Sequence, residues 1–122
     1  QNLGFIYKKE CHRDSMSYNP NGLADFSKTP GLSPVKTRLA KTTSYEQAMQ
    51  FHILCVKALK SVLQPLEITK YWAIAEQQGL KSSFWEGFEA IWTGEGDLGQ
   101  RQDHIYRYLG QKHAYIMYLG VD

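Results

Sequence analysis

Apolar residues recur at helical spacing through the middle of the chain. Ser44 and Gln47 have the spacing of a capping box, in which a hydroxyl caps the first backbone N–H groups and an amide reaches back. Pro65 ends the apolar run that follows, because proline interrupts the hydrogen bonding of a helix. We therefore predict a helix over Tyr45–Leu63. Its apolar side chains cover much of the circumference, which indicates a central core helix.

Two further apolar runs predict two shorter helices joined by a tight turn. The first covers Leu66–Gln78, and Gly79 follows it as a left-handed cap. The second covers Ser83–Trp92. Over Tyr71–Ala90 this pair resembles the helix-turn-helix of DNA-binding domains, in which a short turn with glycine joins two helices. The residues that carry the resemblance are Ala75, Gly79, Leu80, Trp85 and Phe88.

The end of the chain predicts one more helix and one ambiguous segment. Asp97 and Gln100 form a capping box ahead of a helix over Leu98–Leu109. The apolar tail at 113–121 fits either a final helix or a strand, since periodicity does not separate the two in so short a run. As a strand it would pair with Asn2–Lys9, where a short strand is predicted, or with another subunit.

Residues 15–43 are rich in Asn, Gly, Ser, Pro and Thr, which predicts an irregular segment over residues 10–43. The tetrapeptide at 19–22, Asn-Pro-Asn-Gly, is a strong turn signal within it. We therefore predict a mostly α fold: a four- or five-helix domain with a helix-turn-helix-like pair and a long irregular N-terminal arm. The predicted division is an irregular basic arm over 1–43 and a helical domain over 44–122.

The 122 residues suit a single domain, and their charge is unevenly distributed. The first 43 residues hold seven basic and three acidic side chains, whereas the rest of the chain holds seven basic and nine acidic ones. A basic arm ahead of a mildly acidic body suits contact with nucleic-acid phosphates or with an acidic protein surface. The predicted nucleic-acid-binding residues are Lys36, Arg38 and Lys41 in the arm, and Lys81, Ser82 and Ser83 at the turn and start of the third helix.

Two Cys and two His side chains form potential metal-ligand pairs. Cys11 and His12 are adjacent, and His52 and Cys55 share one face of the first predicted helix. Adjacent ligands do not match the spacing of zinc sites, so we predict no metal and no other cofactor. We expect Cys55 to be buried and His52 to be partly exposed. A disulfide between Cys11 and Cys55 is the alternative, and it would require an oxidising compartment.

Two spacings bear on nucleotide binding and catalysis. Residues 94–99 formally contain the G-x-G-x-x-G of dinucleotide-binding loops, but that fingerprint needs a preceding strand. A helix is predicted before it, and Glu95 and Asp97 would repel a phosphate, so we expect a flexible loop. Arg107 and His113 resemble the R-x(5)-H pair of some helical ribonucleases, which implies that both side chains act on an RNA phosphate.

From these patterns we expect a non-enzymatic, nucleic-acid-associated protein without catalytic residues. The alternative is a structural, assembly or adaptor module that binds other protein subunits, as a homo-oligomer or with a partner, through its arm and aromatic surface. A helical ribonuclease is a third hypothesis. No apolar run approaches the ~18 residues of a membrane span. We therefore expect an intracellular protein, cytoplasmic or nuclear, without membrane contact.

Overall fold

The structure, a computed structural model, describes residues 5–8 and 19–120. Within them the chain forms one β-sheet with α-helices on both faces. The strands are β1 (Phe5–Lys8), β2 (Asn21–Ser27), β3 (Thr69–Ile74), β4 (Glu89–Trp92) and β5 (Tyr115–Gly120). The helices are α1 (Thr37–Thr42), α2 (Tyr45–Leu63) and α3 (Leu98–Leu109).

The strands lie in the order β1-β5-β2-β3-β4, and the last four are parallel while β1 is antiparallel to β5. α2 connects β2 to β3 and packs on one face, where Val56 joins a cluster around Trp72. α3 connects β4 to β5 and packs on the other face, where Ile105 joins a cluster around Ala73. The two connections run in opposite directions along the sheet. Right-handed crossovers therefore place their helices on opposite faces.

The predicted mostly helical fold, with its helix-turn-helix, is wrong. β3 and β4 replace the predicted second and third helices, and single 3₁₀ turns at Gln77–Gly79 and Ser83–Trp85 lie between these two strands. β3 is covered on both faces, so Tyr71 packs toward α3 and Trp72 toward α2. A strand buried on both faces reads as a continuous apolar run without alternation. Such a run also satisfies helical spacing, which accounts for the error.

The predicted irregular arm contains the central strand of the sheet. β2 lies between β5 and β3, and its residues Leu23, Ala24 and Asp25 are buried. α1 also lies in this region and begins after Lys36, whose φ of 49° is left-handed. An irregular arm is therefore wrong for these residues. The division of the chain at residue 43 stays a prediction.

The helix boundaries that depend on capping residues are confirmed. The Ser44 hydroxyl accepts a hydrogen bond from the Gln47 backbone N–H at 3.1 Å at the start of α2. Asp97 and Gln100 form a complete capping box at the start of α3. However, α2 is not a central core helix, because it covers one face of the sheet and turns its other side to solvent. Its exposed large apolar residues are Tyr45, Phe51, Leu54 and Val62.

The apolar tail forms a strand, β5. It pairs antiparallel with β1, from Phe5 opposite Tyr118 to Lys8 opposite Tyr115, so the predicted pairing with the N-terminal strand is observed. The other residues of the predicted strand Asn2–Lys9 lie outside the described residues. In the part of the chain that the structure describes, no helix is long and apolar enough to cross a bilayer.

Candidate functional site

The carboxyl ends of β5, β2, β3 and β4 meet at one edge of the sheet because these strands are parallel. From β2 the chain continues through α2 to β3 on one side, and it returns through α3 to β5 on the other side of β2. The boundary between β2 and β5 is therefore a topological switch point. Open α/β sheets bind ligands outside the carboxyl ends of their strands at such a point.

A cavity of about 500 Å³ opens at this edge of the sheet, next to the start of α3. Strand ends, the loop after β2, the loop before α3 and the first turn of α3 all contribute to its lining. Cavities of about 300–1,000 Å³ are usual for small-molecule ligands. The size and the place of this cavity both suit such a ligand.

Small residues create the space, and apolar side chains form its walls. Ala73, Ala75 and Gly120 lie at or just after the carboxyl ends of β3 and β5 and line the cavity. Phe26 and Leu98 also line it. The Phe26 ring packs edge-to-face against the ring of Tyr118, with the two ring centroids 5.4 Å apart. A mostly apolar lining with a few polar groups is typical of ligand sites.

The charged lining residues are basic. Lys28 follows β2 and Arg101 lies in α3, and no acidic residue is among the described residues that line the cavity. The polar lining residues Ser33 and Thr93 carry neutral hydroxyl groups. A partly enclosed site with one sign of charge attracts ligands of the opposite sign. The cavity therefore favours an anionic ligand.

The Arg101 guanidinium is held in place by three oxygen atoms. Its Nη1 donates to the Thr93 hydroxyl at 2.6 Å and to the Ala75 carbonyl at 3.0 Å, and its Nε donates to the Gly96 carbonyl at 2.9 Å. These acceptors come from the end of β3 and from the loop between β4 and α3. The side chain therefore joins two loops at the edge of the cavity.

The glycine-rich loop over 94–99 joins β4 to α3. The expectation of a preceding helix is wrong, because β4 precedes the loop. The loop therefore lies between a strand and a helix, which is the context of a phosphate-binding loop. Gly94 and Gly96 have φ values of 78° and 109°, which residues other than glycine rarely adopt. Asp97 accepts from the Gln100 backbone N–H at 2.9 Å, so its carboxylate caps α3.

The loop after β2 is fixed by buried side chains from three other parts of the chain. His52 of α2 is fully buried, and its Nε2 lies 3.0 Å from the Lys28 carbonyl, which requires a hydrogen on that nitrogen. The Glu76 carboxylate accepts from the Thr29 backbone N–H at 2.8 Å. Trp85 Nε1 donates to the Thr29 hydroxyl at 3.2 Å. These contacts hold the backbone beside the cavity.

Asp25 is a fully buried acid in the carboxyl half of β2. Neither of its carboxyl oxygens has a hydrogen-bond partner among the described residues, and burial raises its pKa to about 8. The raised pKa follows from the cost of moving a charge out of water. Asp25 does not line the cavity, because it points to the face of the sheet that α2 covers, like Trp72 beside it on β3.

None of the six predicted nucleic-acid-binding residues lines the cavity. Three of them lie just before or within α1, and the other three lie in the connection between β3 and β4. Lys36 precedes α1, with its Nζ 5.7 Å from the ring centroid of Phe51. Ser82 accepts from the Phe84 backbone N–H at 3.2 Å and caps a 3₁₀ turn. The remaining four, Arg38, Lys41, Lys81 and Ser83, are exposed. Their role in nucleic-acid binding stays a prediction.

The other predicted pairs do not form sites among the described residues. His52 is fully buried and not partly exposed, and Cys55, expected to be buried, is half-buried, while Cys11 and His12 lie outside the described residues. Residues 19–120 contain no group of three or more His, Cys, Asp or Glu side chains that would hold a metal. Arg107 pairs with Asp103 at 2.9 Å on the surface of α3.

His113 is buried and bonded at both ring nitrogens, 2.7 Å from the Asn19 carbonyl and 2.7 Å from the Tyr71 hydroxyl. Arg107, its partner in the predicted ribonuclease pair, lies on the exposed side of α3. The imidazole is therefore engaged in the core and does not share a surface site with Arg107.

The fold belongs to the class of parallel-sheet α/β proteins. It matches the crystal structure of a "putative nucleotide-diphospho-sugar transferase" from Desulfovibrio desulfuricans G20, with a TM-score of 0.74 and 20% sequence identity. The match covers 84% of this chain and 47% of the other, so this chain spans about half the length of that protein. No protein-family model matches the chain, and neither does any curated protein.

This likeness overturns the expected functional class. The expectation of a non-enzymatic nucleic-acid-associated protein rests on a helix-turn-helix. Strands β3 and β4 take the place of that motif, and their fold is also seen in a protein described as a transferase. The expectation that the chain is not an enzyme is overturned by the same match. The assembly-module alternative rested on the long arm, the aromatic excess and an acidic third helix, and strands β2 and β4 stand where the arm and that helix were expected. The predicted protein partner stays a prediction.

Sequence reasoning missed the residues that line the cavity, Lys28 and Arg101 above all. A signal was present in Thr69–Ile74, where Thr, Tyr, Trp and Ile are residues that favour strands. A strand there, and another at Glu89–Trp92, would have placed the glycine-rich loop between a strand and a helix. That context would have drawn attention to Arg101, in the first turns of α3.

Proposed function

We propose that this chain contributes the nucleotide-binding half of a transferase that uses nucleotide-diphospho-sugars. The observation that carries the proposal is the cavity of about 500 Å³ at the topological switch point, with Lys28 and Arg101 in its lining and no acidic residue among the described ones. Support comes from the fold, which is shared with a protein described as a transferase of this class. The activity of the whole protein is part of the proposal, because the match covers about half of the Desulfovibrio chain.

The chemistry of the lining suits each part of such a ligand. A diphosphate carries negative charge, which Lys28 and Arg101 would offset. The apolar walls formed by Phe26 and Leu98 suit the flat faces of a base or a sugar ring. The small residues Ala75 and Gly120 leave room for these rings at the edge of the sheet. We also propose an intracellular location, because a chain with two cysteines suits a reducing compartment.

The direct test is isothermal titration calorimetry of the full chain with nucleoside diphosphates of the four common bases, each with and without an attached hexose. We expect at least one of these ligands to bind. Ala75→Leu adds three carbon atoms to the cavity wall, and we expect it to weaken binding by about 10-fold or more through steric exclusion.

The matched control is Ala58→Leu, the same substitution at an exposed position of α2 away from the cavity. It should leave the affinity within about twofold of wild type. The proposal is overturned if no nucleotide ligand binds, or if Ala75→Leu binds as tightly as Ala58→Leu while both variants remain folded by circular dichroism.

A further inference from the structure

Arg101 carries a charge that the described part of the chain does not neutralise. The guanidinium forms no ion pair with a described carboxylate, although three acidic residues lie close to it in sequence. Asp97 caps the first turn of α3, and Asp103 pairs with Arg107. Glu95 is exposed in the loop before α3. A partly buried cation without a counter-ion is unfavourable, so this position suits an anion from outside the chain.

The hydrogen bonds of Arg101 leave one part of the guanidinium available. Nε has one hydrogen and Nη1 has two, and all three are donated to the oxygens of Gly96, Ala75 and Thr93. The two N–H groups of Nη2 make no hydrogen bond to a described residue, and Arg101 lines the cavity. The side chain is therefore fixed in orientation before any ligand arrives, with two donors to spare.

We infer that Arg101 is a phosphate-binding residue of the cavity, and that Thr93 is a positioning residue that orients it. This inference rests on the proposed function and adds the atoms that recognise the ligand: the N–H groups of Nη2 donate to a phosphate oxygen. Guanidinium groups suit phosphate because their fixed planar donors match its oxygens. Preorganisation by the three oxygen acceptors lowers the entropy lost when the phosphate binds.

A purely structural role is the competing interpretation. Arg101 ties the end of β3 to the loop before α3, so its removal would then loosen the whole cavity. The two roles differ in which ligands they affect. A phosphate-binding residue affects ligands with phosphate and spares the nucleoside alone, whereas a structural residue affects both alike.

The test compares the affinities of a nucleoside diphosphate and of the matching nucleoside for the full chain, by calorimetry or by competition. Arg101→Met should weaken diphosphate binding about 10- to 100-fold, as expected for a lost hydrogen bond to a charged group, and change nucleoside binding by less than about threefold. The matched control is Arg107→Met on the exposed side of the same helix, which should change neither affinity.

Thr93→Val keeps the shape of the side chain and removes the acceptor that orients Arg101. We expect it to weaken diphosphate binding about 3- to 10-fold with nucleoside binding unchanged, and Thr93→Ser to restore it. This pair keeps the test informative if Arg101→Met does not fold.

Each outcome decides between the proposals. Equal losses for both ligands, or a diphosphate preference that survives Arg101→Met, would overturn the role of Arg101 and leave the nucleotide site standing. Failure of the wild-type chain to bind either ligand would overturn the proposed function, and this inference with it.

Discussion

The two ends of the sheet face that α3 covers are built in opposite ways. At the amino end, the His113 ring lies over Gly22, so that a Cβ there would meet its Cδ2 at 2.7 Å. Its two ring nitrogens are bonded to Asn19 and Tyr71. At the carboxyl end, Ala73 and Gly120 line an open cavity. The same strands therefore end in a filled core at one edge and in a cavity at the other.

The polar groups at the two ends of the sheet also differ, in whether their partners lie inside the chain. His113 finds its partners inside the chain, whereas Arg101 forms no ion pair with a described carboxylate. Polar groups whose hydrogen bonds are all made within the chain stabilise the fold. A cation without a counter-ion favours the binding of an anion, at some cost in stability. The amino end is thus a structural element, and the carboxyl end is the part of the fold where a ligand site is expected.

The largest effect is expected at Asp25, in the carboxyl half of β2. Its folded-state pKa of about 8 exceeds the 3.8 of the unfolded chain, so the folded state holds the proton more tightly. The free energy of unfolding should be highest below about pH 4 and fall by up to about 1.4 kcal/mol per pH unit until about pH 8. Asp25→Asn removes this dependence and should raise stability at pH 7 by up to about 4 kcal/mol.

Urea unfolding between pH 4 and 9 measures this prediction. Asp103→Asn, at an exposed carboxylate, is the control and should keep the wild-type slope. Parallel pH curves for wild type and Asp25→Asn would contradict a pKa of Asp25 that burial raises.

The second prediction removes the imidazole that fills the amino end. His113→Ala leaves a void and strips the Tyr71 hydroxyl of its partner, so the free energy of unfolding should fall by about 2–4 kcal/mol. Chemical denaturation is the measurement. His104→Ala, which removes an exposed imidazole from α3, should cost less than about 0.5 kcal/mol. Similar losses in the two variants would contradict a packed amino end.

The third prediction tests the close contact between Gly22 and His113. Gly22→Ala should lower the free energy of unfolding by about 1–3 kcal/mol, because the new methyl group overlaps the ring. In a His113→Ala background the same substitution should cost less, since the overlapping ring is gone, and a double-mutant cycle measures the difference. Additive effects of the two substitutions would mean that the His113 ring does not restrict which side chain fits at position 22.

The smallest expected effect concerns the loop beside the cavity. Asp97→Ala removes the carboxylate that caps the start of α3. It should lower the free energy of unfolding, measured by heat or denaturant, by about 1 kcal/mol. Asp103→Ala, which removes an exposed ion pair on the same helix, should cost less than about 0.5 kcal/mol. Equal effects would show that the cap adds nothing beyond a surface charge.

Prediction from the sequence succeeded where the signal is local. α2 and α3 have the predicted bounds, because Ser44, Asp97 and their partners act within one helical turn. β5 remained one of two alternatives, since a six-residue apolar run lacks a decisive period. The candidate site was not found: none of the six predicted binding residues lines the cavity, and Lys28 and Arg101 were not singled out.

By itself, the sequence determined where two of the helices begin and end, since capping and proline act on neighbouring residues. Only the tertiary structure decided that Thr69–Ile74 and Glu89–Trp92 are strands, because their hydrogen bonds and both of their buried faces come from distant parts of the chain. The cavity has the same origin. Phe26, Ala73 and Arg101 are far apart in sequence and meet only because parallel strands bring their carboxyl ends to one edge.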